Sequence, residues 1–128
     1  MKYLLDTHTL IWSLNGKILT YKKLSSIIED PNNLIFVSIA SVWEIAIKLC
    51  VNRISLNFNI DDLFNTIECR DYILLPIKEE HIRINLELPM IHRDPFDRLL
   101  VATAISENLN FITSDKDNQL YDVDWVWE

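Results

Sequence analysis

Four acids fall where a strand ends or a helix begins. Asp6 closes the short apolar run Lys2-Tyr3-Leu4-Leu5, and Asp115 follows Leu109-Asn110-Phe111-Ile112-Thr113. Glu44 lies in the helical stretch after residues 34–38, and Asp97 sits in the first turn of a helix opened by Asp94-Pro95. In an open parallel sheet the carboxyl ends of the strands share one rim, so these acids can converge there. Two carboxylates about 4 Å apart repel by roughly 4 kcal/mol at an effective dielectric near 20, so a group of them demands protonation or a cation. Hard oxygen donors with no Cys or His ligand spacing favour Mg²⁺ or Mn²⁺ over Zn²⁺. That chemistry suits phosphodiester hydrolysis, in which the ion polarises a phosphoryl oxygen, acidifies a bound water and stabilises the leaving oxygen. Thr7, Thr113 and Ser114 set hydroxyls beside the acids, where they can orient ligands or water.

Each acid also has a structural reading. Ser41-x-x-Glu44 matches a capping box, although Ser38 is the more natural cap if the strand ends at Val37, which leaves Glu44 in the second turn with no orphan donor to satisfy. Asp94 before Pro95 reads as an N-cap, and Asp97 is favoured there by the helix dipole alone. Asp115 can cap the segment 116–121, and Asp6 can begin a turn. Their joint placement is what favours chemistry. Among the cations, Arg98 and Lys48 are the candidates for holding phosphate, with Arg53 and Arg93 also flanking the acidic elements. Lys48 equally forms an ordinary i,i+4 pair with Glu44. His8, His81 and His92 share no spacing and read as surface or hydrogen-bonded residues. Trp12, Trp43, Trp125 and Trp127 read as core or interface anchors.

The elements that must position these residues alternate. Strands are expected at 2–5, 34–38, 72–76, 109–113 and 122–127, and helices at 9–15, 20–29, 39–51, 60–68, 78–88 and 95–107. The Ile82, Ile84, Leu86, Leu88 alternation in the fifth helix would also suit a strand. Asn59, Asp61 and Asp62 supply capping groups for the fourth helix, and Asn52 and Asn108 follow helices where a left-handed residue is wanted. Runs that are apolar on both faces, alternating with helices, indicate an α/β fold with a parallel sheet covered on both sides.

Length and composition set the limits. The 128 residues make one domain, 1–128, with 49% hydrophobic and 24% charged residues, which excludes a disordered chain. A net charge of -7 repels polyanions, so any nucleic-acid function needs a local basic patch or a bound cation. A single glycine excludes a glycine-rich phosphate cradle. Cys50 and Cys69 lack metal spacing, no stretch is apolar enough to span a membrane, and the start does not read as an export signal; a cytoplasmic protein without disulfides is expected.

LLDTHTLIW at 4–12, SVWEIAIK at 41–48, HRDPFDRLLVATA at 92–104 and FITSD at 111–115 resemble, in order and spacing, the PIN-domain family, and within it the VapC-like toxins of type II toxin-antitoxin pairs. The resemblance implies a three-layer α/β/α sandwich around a parallel sheet and a Mg²⁺- or Mn²⁺-dependent endoribonuclease that uses water as nucleophile. It places the metal-binding catalytic acids on Asp6, Glu44, Asp97 and Asp115, with Asp94 the further acid of the DPFD motif. It also implies an RNA substrate, a cognate antitoxin that inserts near the site, and a homodimer. Asn52 and Asn108 stand where similar sequences usually carry Gly, and Asp117 is an additional acid. Two other readings belong to different classes. A non-catalytic PIN-fold protein-binding module would keep the fold without needing the acids. A phosphatase of the haloacid-dehalogenase type wants a second acid two residues after the first, where this chain has His8.

Overall fold

The computed structural model describes residues 1–51 and 59–128. Five parallel strands, β1 (Lys2–Leu5), β2 (Leu34–Ser38), β3 (Ile73–Leu75), β4 (Asn110–Ile112) and β5 (Trp125–Val126), pair in the order β3-β2-β1-β4-β5. The helices are α1 (Thr7–Asn15), α2 (Lys22–Glu29), α3 (Ile39–Cys50), α4 (Ile60–Cys69), α5 (Glu79–Glu87) and α6 (Pro95–Glu107). Period-two alternation assigns the faces. Tyr3, Leu5, Ile35, Val37 and Ile112 point to one side and meet Leu10 and Ile11 of α1, Leu24 and Ile28 of α2, Ile45 of α3 and Leu63 of α4. Leu4 and Phe111 point to the other and meet Leu100, Val101 and Ala104 of α6. The result is the expected α/β/α sandwich, with β1 at its centre and the strand order reversing beside it.

Local chemistry explains the element ends. Asp6 caps α1 by accepting from Thr9 N, and Gly16 ends it at φ 80°. That cap starts α1 at Thr7, two residues before the expected position. The helix expected over 20–29 is α2, which starts two residues later at Lys22, after a 3₁₀ turn at Lys17–Thr20. Ser38 caps α3 through Ala40 N, which leaves Glu44 outside any capping role. Asn59 and Asp62 form a reciprocal capping box on α4. Asn108 ends α6 at φ 54°, the left-handed conformation expected of it, while the corresponding expectation for Asn52 lies outside the described residues, as does Arg53. Residues 79–87 are helical, and the aliphatic alternation misleads there because Ile82 and Leu86 are 51% and 82% exposed. α5 is anchored instead by His81, fully buried, whose Nδ1 accepts from Lys78 N and whose Nε2 lies 3.3 Å from Glu107 of α6.

Trp12 and Trp127 pack with Tyr21 as an aromatic cluster, but Trp43 and Trp125 are 61% and 46% exposed and anchor no core. Both cysteines are free and exposed. Among the described residues no helix is long and apolar enough to cross a membrane.

Candidate metal centre

The reversal of strand order beside β1 leaves a crevice outside the carboxyl ends of β1 and β4, the place where open α/β sheets bind ligands. Asp6 leaves β1 there, tied to β4 by its own N–H, which donates to Ile112 O at 3.1 Å. Its carboxylate is buried, held by Thr9 N at 2.8 Å and by the Thr113 hydroxyl. Asp115 leaves β4 and accepts at Oδ1 from Asp117 N at 2.8 Å and at Oδ2 from His92 Nε2 at 2.9 Å. α6 enters from the opposite layer with Asp94 as its N-cap, accepting from Phe96 N, and with Asp97 in its first turn. Asp97 Oδ1 accepts from Asn118 Nδ2 at 3.0 Å, and its Oδ2 lies 3.5 Å from His92 Nε2.

Glu44 reaches the same rim through a different contact. The hydroxyl of Thr7, the residue after Asp6, donates to Glu44 Oε1 at 2.7 Å and lies 3.1 Å from Ser41 Oγ. Glu44 Oε2 pairs with Lys48 Nζ at 2.8 Å, the i,i+4 pair visible in the sequence. Glu44, Lys48, Arg93, Asp94 and Phe96 line an adjoining cleft of ≈ 590 Å³ whose floor includes Ile47. The hollow around Arg70 and Asp71 elsewhere on the surface holds none of the four acids.

The electrostatics match this crowding. Burial pushes Asp97 up to about 7, reinforced by the negative charges of Asp94 and Asp6 and opposed by the Asn118 amide and His92. Burial likewise raises Asp6 against the hydrogen bonds from Thr9 and Thr113. For Asp115 burial acts upward, but the His92 hydrogen bond and the amides of Asp117 and Asn118 outweigh it and hold the carboxyl below its ordinary value. For His92 burial acts downward and is outweighed by Asp115, Asp97 and Asp117, so the imidazole is raised.

These residues fit a divalent cation. The donors are carboxylate oxygens, two of them on groups that resist ionising without a counter-charge, and beside them Asn118 Oδ1 is buried with no hydrogen-bond partner. His92, Asp115 and Asp117 are the described group whose ligand atoms lie within 4.8 Å of one another. That trio does not make a site by itself, because His92 Nδ1 accepts from Asp94 N at 3.0 Å, which puts the ring proton on Nε2, where it is donated to Asp115. Asp6, Glu44, Asp97 and Asp115 share the rim, but among the described residues they do not themselves close to within that distance as a set of three.

The expectation that Arg98 holds phosphate finds no support in its placement. Its Nη1 donates to Pro89 O and Tyr121 Oη and its Nη2 to Asn85 O and Leu88 O, so both terminal nitrogens are committed to fastening the end of α5 and the following loop onto α6. Of two residues that touch the acids, sequence reasoning read His92 only as a surface or hydrogen-bonded residue and passed over Asn118. His92 stands two residues before Asp94, and Asn118 three after Asp115, which is the only sequence signal either carries.

The PIN domain family profile matches residues 3–126 of the chain. Among solved structures, VapBC2 from Rickettsia felis bound to a DNA fragment from their promoter aligns with a TM-score of 0.73 at 18% identity, covering 98% of this chain and 98% of that chain. FitAcB from Neisseria gonorrhoeae aligns at 0.63 with 23% identity, over 99% and 97%. VapBC-5 from Mycobacterium tuberculosis, of the VapBC family of toxin-antitoxin systems, aligns at 0.58 with 18% identity, over 91% and 86%. At these identities the likeness is one of fold. Among curated proteins none matches.

Proposed function

Because the chain belongs to the PIN domain family, we propose that it is a Mg²⁺- or Mn²⁺-dependent endoribonuclease and the toxin of a type II toxin-antitoxin pair. The observation that carries this reading is the half-buried Asp97, raised to about 7 by desolvation and by the charges of Asp94 and Asp6, on the rim that Asp115 shares. Such a group is stable in its charged form only with a cation beside it.

Asp6, Glu44, Asp97 and Asp115 would hold the ion. When bound, it would polarise the scissile phosphoryl oxygen and lower the pKa of the attacking water, so that no covalent intermediate with the protein is needed. Thr7 orients the Glu44 carboxylate, and Thr113 and Asn118 orient Asp6 and Asp97. Lys48 Nζ, bonded once to Glu44, has donors left for a phosphate oxygen on the open side of the cleft. The cation would also offset the chain's net charge of -7 towards RNA.

The VapBC-5 structure is described as a toxin-antitoxin system, which supports a cognate antitoxin as partner here. A homodimer and a cytoplasmic location complete the reading. The test is cleavage of a structured-RNA pool by the purified protein in Mg²⁺ or Mn²⁺. Cutting that disappears with chelator and with Asp97→Asn is the expected result. A protein that neither cuts RNA nor gains thermal stability from either ion is instead a PIN-fold binding module.

A further inference from the structure

We infer that His92 and Asn118 form a brace that ties the Asp97 and Asp115 carboxylates together on the rim so that both can serve one divalent cation, acting as positioning residues; the inference rests on the metal-dependent reading above. Asp97 and Asp115 belong to different elements, one on α6 and one after β4, and nothing in the backbone ladder joins their side chains. The brace does. His92 Nε2 lies 2.9 Å from Asp115 Oδ2 and 3.5 Å from Asp97 Oδ2, so one imidazole edge spans both acids. Asn118 spans them from the other side: its Nδ2 donates to Asp97 Oδ1 at 3.0 Å and its backbone N to Asp115 Oδ1 at 3.4 Å.

Both members are themselves held. His92 Nδ1 accepts from Asp94 N at 3.0 Å, and its backbone N–H donates to Tyr121 Oη at 2.8 Å. Tyr121 Oη also accepts from Arg98, whose other bonds run to the carbonyls of residues 85, 88 and 89, so the brace is founded on the α5–α6 junction. Asn118 is fully buried, and its Nδ2 is fixed a second time by Thr113 Oγ1 at 3.2 Å. Asp115 is thus bonded at both oxygens, and Asp97 is bonded at Oδ1 and faces the imidazole at Oδ2, so neither carboxylate rotates freely. A carboxylate offers about four acceptor positions, so lone pairs remain for a cation after the brace is satisfied. Without the brace, two like charges on separate elements would swing apart, and binding would have to reassemble them. Outer partners of this kind are worth roughly 10- to 100-fold in metal affinity.

The test measures Mn²⁺ binding directly, by electron paramagnetic resonance of free Mn²⁺ in titrations of the RNA-free protein, beside thermal denaturation in chelator. His92→Ala and Asn118→Leu are expected to bind Mn²⁺ at least about tenfold more weakly. His92→Gln, whose amide nitrogen reaches towards the place of Nε2, is expected to recover part of that loss. Binding by His92→Ala that equals or exceeds wild type, in a variant that melts cooperatively, would overturn the brace and make His92 a bystander or a competitor for the cation position. If His92→Ala does not fold, Asn118→Leu and His92→Gln decide by the same criterion. Wild type that binds no Mn²⁺ would overturn the metal reading itself, a different result from wild type that binds beside variants that bind as well.

Discussion

Asp97→Asn is expected to stabilise the metal-free protein while abolishing its chemistry, and the structure sets the size and pH dependence of the gain. Asp97 is 13% exposed and titrates at about 7 against an ordinary 3.8. Between those values the folded chain keeps a proton that the unfolded chain has lost. The stability linked to that proton is therefore fully present below 3.8 and is lost as pH rises through about 7. About three pH units at about 1.36 kcal/mol each give roughly 4 kcal/mol as the ceiling. Asparagine removes this loss and its carbonyl can still accept from Asn118, but it no longer draws on His92, so about 2 kcal/mol is the working figure. For a domain of this size that corresponds to a rise of roughly 8 °C in melting temperature. The assay is thermal denaturation in chelator at pH 8 and pH 4. The gain should be present at pH 8 and close to zero at pH 4, and added Mn²⁺ should raise the melting temperature of wild type only. A variant that melts at or below wild type at pH 8, or gains equally at both pH values, would refute the argument that burial of charge dominates this residue.

Asp6→Asn should lose RNA cleavage with α1 intact, since asparagine caps a helix as well as aspartate does; circular dichroism beside the cleavage assay checks both halves. Thr7→Val removes the donor to the buried Glu44 and should cost about 1–2 kcal/mol in urea denaturation while weakening Mn²⁺ binding. Arg98→Met strips four hydrogen bonds from the α5–α6 junction and should cost about 3 kcal/mol, with the RNA KM unchanged at a temperature where the variant is folded. RNA affinity in the presence of metal should fall only gently with salt, with a log–log slope of about −1 to −2 as expected for one or two phosphate contacts; a slope steeper than about −4 would mean that a basic face carries binding.

The fold was legible because its signals are local and repeated. Apolar runs of strand length, the Asp94-Pro95 opening and Asn108 at a helix end each act within a few residues, and the alternation of strands and helices then leaves little choice but a covered parallel sheet. The Ile82 to Leu88 alternation shows where such reasoning decides least, although the helix expected there is the one observed. Its period suited a strand, yet the helix there is decided by tertiary anchoring of His81 against Glu107, a contact 26 residues distant. Of the candidate site, Asp6, Asp97 and Asp115 could be placed on the rim because each sits at a strand exit or a helix start, whereas Glu44 lies a turn further into α3. Whether Arg98 faces phosphate or carbonyls depends on where α5 ends, which no motif records. His92 and Asn118 were invisible for a related reason. Each acts across 21 to 23 residues of sequence, on an acid whose own position is the only clue to theirs.

The charge balance and the site's energetics have a common origin. A chain with a net charge of -7 that buries Asp6 and half-buries Asp97 on one rim is uphill in its metal-free state, and on the proposed function the folding energy given up there would be the source of its affinity for a cation. The same arrangement limits the nearby basic groups: Arg98 is committed to backbone carbonyls, and Lys48 shares its ammonium with Glu44. On the proposed function, approach of RNA would be governed by the bound ion together with Lys48 and Arg93 at the cleft, which would couple substrate binding to metal occupancy. In such a protein loss of the metal weakens RNA binding and catalysis together, whereas a basic nuclease would lose catalysis and keep its grip on RNA.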